Sequence, residues 1–224
     1  MYPIRRAYKA VKKLFTRKRK SAKKTHKRKP VVNGIVSVCK IKQEDRDIVN
    51  INQYQAGTFT FELSDFPEYA SYQSTYEYFR IDKVQVTWRA LNNVAQTTGI
   101  TPGTIFCAAG RIHSIIDYND ASAPTASRAG VSVLMQDNSY KCTSSMRNHT
   151  RTLVPRILME GGGSSVGVVS KAKQWIPCGN TTASLSHFGI KYIMEGGYST
   201  SALSYASFCV EPTIKLWVSF KDPQ

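Results

Sequence analysis

The chain has 224 residues and a mass of 25.1 kDa, with 31 Lys plus Arg against 15 Asp plus Glu, a formal charge of +16. At 42% hydrophobic and 11% aromatic it can bury a core, which excludes a wholly disordered chain. Its uninterrupted apolar stretches are only a few residues long, so no membrane span and no membrane insertion are expected.

The first thirty residues carry Arg5, Arg6, Lys9, Lys12, Lys13, Arg17, Lys18, Arg19, Lys20, Lys23, Lys24, Lys27, Arg28 and Lys29 and no acid; the first carboxylate is Glu44. The other 194 residues hold 17 basic and 15 acidic side chains. A basic arm, residues 1–33, therefore precedes a near-neutral body, residues 34–224. The arm lacks the apolar core of a secretory signal and the Ser-rich amphipathic face of a mitochondrial one. Charges this dense repel one another, so the arm is expected to stay disordered until a polyanion neutralises it, with helix over its first half where Ile4, Tyr8, Val11 and Phe15 share a face. A phosphate backbone is the natural polyanion, because each Lys or Arg that meets a phosphate releases condensed counterions. The spaced clusters at 17–20 and 23–29 also suit a nuclear-import receptor. A solubilising tail and a membrane-binding helix over residues 4–15 are the rival readings; the first would mix signs, and the second has a short stripe without Trp.

From Gly34 onward the hydrophobic period is two. Phe59, Phe61 and Leu63 alternate with polar residues, as do Val84, Val86 and Trp88, then Phe188, Ile190, Tyr192 and Met194, and finally Ile214, Leu216, Val218 and Phe220. With weaker candidates the pattern predicts eight strands, at 35–42, 57–63, 81–91, 104–113, 148–157, 172–178, 187–195 and 213–220. The class is all-β, an antiparallel two-sheet sandwich of the jelly-roll kind, with an immunoglobulin-like sandwich as the alternative. The links 64–80, 114–147 and 196–212 are long enough to be binding or assembly surfaces. Five widely spaced cysteines without a CxxC pair are expected to be reduced, half-buried thiols.

No catalytic residue, metal ligand or cofactor site emerges. Ser186 and His187 are strand neighbours and point to opposite faces. His113 and Asp117 are expected as a structural polar pair, Gly161–Ser165 as a flexible linker without the Lys of a phosphate loop, and Glu44, Asp45 and Asp47 as a solvated acidic face.

Residues 76–90, Tyr-Glu-Tyr-Phe-Arg-Ile-Asp-Lys-Val-Gln-Val-Thr-Trp-Arg-Ala, resemble the aromatic-rich stretch and "YRI.KV.V" strand of circovirus capsid proteins and their relatives among small circular single-stranded DNA viruses. The basic arm running into Val32-Asn33-Gly34-Ile35 and the last strand closing on Trp217-Val218-Ser219-Phe220-Lys221-Asp222-Pro223 are similar to that family's layout. Two features depart from it: the arm is richer in Lys than Arg, and Asp82 stands where a basic residue is usual, which argues against DNA contact by this strand's polar face.

The resemblance implies one jelly roll whose first, eighth, third and sixth strands face the second, seventh, fourth and fifth. It implies a T=1 icosahedral shell of about 60 copies with the arms inside. Those arms would bring about 840 positive charges to a single-stranded DNA genome. The partners so implied are the chain itself, viral single-stranded DNA, host nuclear-import receptors and a host cell-surface attachment factor, a polyanionic glycan being one form it could take. The locations are the virion and the host nucleus. The alternatives are an RNA-packaging jelly-roll coat protein, a monomeric nucleic-acid-binding accessory protein and a carbohydrate-binding sandwich with a basic tail.

Overall fold

The computed structural model describes residues 34–66, 68–91, 106–107, 109–119, 121–160, 168–199 and 206–223. In chain order the strands are β1 (Val36–Gln43), β2 (Asp47–Asn50), β3 (Tyr54–Phe61), β4 (Tyr76–Ala90), β5 (Phe106–Cys107), β6 (Arg111–Ile115), β7 (Lys141–Ser144) and β8 (His149–Leu153). They continue as β9 (Arg156–Glu160), β10 (Val168–Ala172), β11 (Ile176–Pro177), β12 (His187–Glu195), β13 (Tyr198–Ser199) and β14 (Ala206–Pro223). Among the described residues, three short α-helices, α1 (Tyr69–Gln73), α2 (Arg128–Leu134) and α3 (Asn180–Ala183), lie in the links.

The first sheet runs β1-β14-β4-β8, with β2 continuing the β1 side of β14 and β11 pairing with β4 at Tyr78 and Phe79. The second runs β3-β12-β6-β7, and the β9–β10 hairpin joins it where Arg156 meets Phe188. All pairings are antiparallel, as expected for a jelly roll. The inner face of β14 supplies Ile214, Leu216, Val218 and Phe220, that of β4 supplies Phe79, Ile81, Val84, Val86 and Trp88, and that of β12 supplies Ile190, Tyr192 and Met194. Alternation that is broken at Asp82 and resumes at Val84 has a structural cause. Lys83 pairs with Trp217 and Ile81 with Val218, so Asp82 is the extra residue of a bulge that keeps both halves of β4 facing inward.

Trp88 sits at the centre of the sandwich, edge-on to Phe59, His149 and Tyr192 at centroid distances of 5.5, 5.2 and 5.3 Å. A second, smaller core forms on the other side of β12, where Val131 and Leu134 of α2 cover Ile115 and Ile193. Ser127 caps α2, its hydroxyl accepting from the Gly130 amide at 3.1 Å. Gly110 immediately precedes β6, at a point where a Cβ would lie 2.2 Å from the Glu195 carbonyl, so only glycine lets these backbones approach.

The first sheet keeps the expected order, with the segment 172–178 reaching β4 through β11, and the second sheet differs at its fourth strand. The segment 148–157 is two strands, because Pro155 has no amide to donate and ends the ladder. Its first half, β8, pairs with β4 over Val84–Trp88, while β11 of the segment 172–178 pairs with β4 at Tyr78 and Phe79. The place beside β6 is taken by β7, from the interior of the link 114–147. The segment 172–178 contributes only β11, and its start belongs to β10. Of the four cysteines whose side chains are described, Cys178 and Cys209 are half-buried as expected, whereas Cys39 and Cys142 are exposed.

Candidate nucleic-acid interface

The fourteen cations from Arg5 to Lys29, and the helix expected over residues 4–15, lie outside the described residues. What the structure places is the sheet into which the arm's sequence runs. Val36, the first residue of β1, pairs with Phe220, one register position from the Lys221–Tyr78 pair.

The face of the first sheet that points away from the core is lined with cations and aromatic rings. Lys83 Nζ lies 4.0 Å from the ring centre of Trp217, its partner across the ladder. The Arg80 guanidinium lies 4.4 Å from the Trp175 ring, just before β11, and Lys221 Nζ stands 4.5 Å from Tyr78 and 5.3 Å from Trp175. Stacking of this kind holds long cationic side chains against rings without neutralising them. Lys83 and Lys215 have no carboxylate partner among the described residues, while Lys221 pairs with Asp222 at 3.1 Å. Asp82 does not spoil the face. One of its oxygens takes Arg80 Nε at 2.7 Å and the other accepts from the Ser219 hydroxyl, which is itself 2.8 Å from Ser37. Its charge is therefore spent inside the bulge.

Chemically, this surface offers what single-stranded nucleic acid uses: ammonium groups for phosphates, with indole and phenol rings between them for bases. The pairs that build it join residues as far apart as 83 and 217, so only the strand register brings them together.

Hydrolytic chemistry finds no support among the described residues. Ser186 donates to Glu62 at 2.5 Å and His187 Nδ1 donates to the Leu185 carbonyl at 3.0 Å, so the two neighbours do not meet. The expected His113–Asp117 pair does not form. Asp117 takes Lys191 at 2.9 Å, and His113 instead donates from Nε2 to Glu195 at 3.2 Å and accepts from the Tyr140 hydroxyl at 2.8 Å. Burial holds His113 below the usual imidazole range. Glu44 pairs with Lys42 at 3.1 Å, Asp47 accepts from Gln55 at 2.9 Å, and no group of three metal-ligating side chains occurs among the described residues. The Gly161–Ser165 stretch lies outside them.

A sequence profile described as "Circovirus capsid protein" matches residues 2–224. No curated protein sequence matches. Among solved structures, the 60-mer of the BFDV capsid protein has a TM-score of 0.54 at 17% identity, covering 85% of this chain and 95% of that one. The decameric BFDV capsid protein gives 0.51 at 15%, over 84% and 99%. Cucumber Necrosis Virus gives 0.53 at 12%, over 86% of this chain and 58% of that one. At these identities the likeness is one of fold.

Proposed function

Because the chain belongs to the circovirus capsid protein family, and is thus a viral capsid protein and not an enzyme, we propose that it builds a T=1 shell of about 60 copies around single-stranded DNA. The shell count rests on the likeness to a capsid protein crystallised as a 60-mer. The arm, residues 1–33, neutralises the genome without reading its bases, and the same clusters at 17–20 and 23–29 serve nuclear import. The exposed loops carry attachment and uptake.

The observation that carries the packaging reading is the segregation of charge, fourteen cations and no acid in thirty residues, ahead of a body close to neutral. The face bearing Lys83, Trp217, Arg80, Trp175, Lys221 and Tyr78 supports it as a second, weaker contact on the same polymer. Binding of a labelled single-stranded oligonucleotide, titrated across NaCl concentrations, tests both parts. Each phosphate neutralised on a single strand adds about 0.7 to the magnitude of the slope of log K against log salt. Replacing the fourteen arm cations with Gln is expected to remove nearly all of the slope, and K83A/K215A to flatten it by about 1.4. Full affinity in the arm variant overturns the assignment. Negative-stain images of the intact chain are expected to show shells roughly 200 Å across; a persistent monomer at moderate salt argues for an accessory protein instead.

A further inference from the structure

On the far side of the second sheet, away from the face just described, a cleft of about 680 Å³ opens at one end of β12. Register builds its floor: Tyr54 on β3, Glu195 on β12 and Arg111 on β6 are directly opposite one another, so their side chains stand in a row on one face. His113, two residues along from Arg111, is buried behind them. Helix α2 forms one wall, contributing Arg128 and, at its C-terminal end, Met135; Tyr198 forms part of the opposite rim.

The polar groups in this cleft divide into two kinds. Glu195 is occupied, one oxygen accepting from Tyr54 at 3.3 Å and the other from His113 at 3.2 Å. Arg111 and Arg128 are not: both are exposed to the cleft and neither has a carboxylate partner among the described residues. Two guanidiniums left open beside a carboxylate already held by neutral donors give the cleft an excess of positive charge with bidentate donors for an oxyanion. The rest of the lining suits a hydroxylated ring. Gln53 brings its side-chain amide to the lining, while Tyr198, 57% exposed, and Met135, 51% exposed, present apolar surface to a ring face. The volume falls in the range of small-ligand sites, and a few converging polar groups on a largely apolar lining are their usual chemistry.

We infer that this cleft binds a phosphate or sulfate ester carried on a hydroxylated ring, with Arg111 and Arg128 gripping the oxyanion and Tyr198 packing against the ring. Two sources present that chemistry, a sulfated sugar and a nucleotide. The inference is independent of the arm's role in packaging, because no arm residue enters it.

Saturation-transfer difference NMR on the full chain tests it, using N-acetylglucosamine 6-sulfate, adenosine 5′-monophosphate and uncharged N-acetylglucosamine as probes. Saturation of the ring protons is expected for one or both charged probes and not for the uncharged one; whichever charged probe binds more tightly identifies the source. R111Q/R128Q is expected to weaken binding at least tenfold, and Tyr198→Ala to reduce ring saturation while sulfate competition persists. An arm variant, K18Q/R19Q, is expected to leave the signal unchanged, which separates this site from the arm. If R111Q/R128Q does not fold, R128Q alone, exposed on α2, is expected to weaken binding about threefold. No saturation by either charged probe, saturation indifferent to the Arg substitutions, or loss of signal in the arm variant overturns the inference.

Discussion

His149 makes the sandwich sensitive to acid in a way that can be worked out from its surroundings. The ring is fully buried against Trp88, with Nε2 2.7 Å from the Ser114 hydroxyl and Nδ1 2.9 Å from that of Thr143. These hydroxyls serve a neutral imidazole, one ring nitrogen donating and the other accepting. Burial is the largest cause pressing against a proton here, followed by Lys141 and Arg151, and together they push the pKa from 6.5 down to about 3. The sign follows directly. Above 6.5 neither the folded nor the unfolded chain binds the proton, so His149 has no effect on the pH dependence. Between 6.5 and 3 the unfolded chain binds a proton that the fold refuses, and stability falls as pH falls. At pH 5 the loss from this residue is about 2 kcal/mol, since 1.5 pH units lie below the unfolded value and each is worth about 1.4 kcal/mol. Guanidinium unfolding followed by far-UV circular dichroism at pH 7, 6 and 5 measures it. Wild type is expected to lose stability steeply over that interval, and H149Q, whatever its stability at pH 7, to lose about 2 kcal/mol less. Equal slopes for the two proteins refute the argument. Burial also lowers His113 and His187, so part of the slope is expected to survive in H149Q.

Trp88→Ala removes the ring that Phe59, His149 and Tyr192 surround and is expected to cost about 3–5 kcal/mol by the same titration. Trp88→Phe is expected to cost much less, under about 2 kcal/mol, because the indole N–H it gives up has no acceptor among the described residues. Gly110→Ala drives a methyl into the Glu195 carbonyl and the Phe208 ring, and a loss of about 1–3 kcal/mol is expected; an unchanged midpoint contradicts the close approach of β6 and β12.

How far the sequence can be read depends on where each strand sits. Strands β14, β4 and β12 lie in the middle of their sheets, so their inner faces carry large apolar side chains at every second position and the pattern is plain before any coordinates. Strand β7 is an edge strand of sequence Lys-Cys-Thr-Ser with mostly exposed residues, and it leaves no hydrophobic alternation to detect. Strand β2 has a single inward side chain, Val49. The split at Pro155 was legible in principle, because proline cannot donate within a ladder. For the candidate surfaces the limits are of another kind. The arm's cations are contiguous and need no fold to be recognised. The pairing of Lys83 with Trp217, the spending of Asp82 on Arg80 and Ser219, and the row of Tyr54, Glu195 and Arg111 all depend on which residues stand opposite across a ladder. His113 shows the same point: its sequence neighbour Asp117 is drawn to Lys191, and register supplies Glu195 in its place.

Strand β14 has a bearing on biosynthesis. It is the shared partner of β1, β2 and β4, and Val36 finds its place only against Phe220. A nascent chain leaving the ribosome thus exposes its cationic leader and first strand while nearly two hundred residues remain to be translated, and that strand has nothing to dock on. Closure of this sheet is a late, long-range and slow event. The basic leader is thus synthesised long before the sheet that follows it is complete, and the growing polypeptide acquires a finished surface only when its last strand arrives.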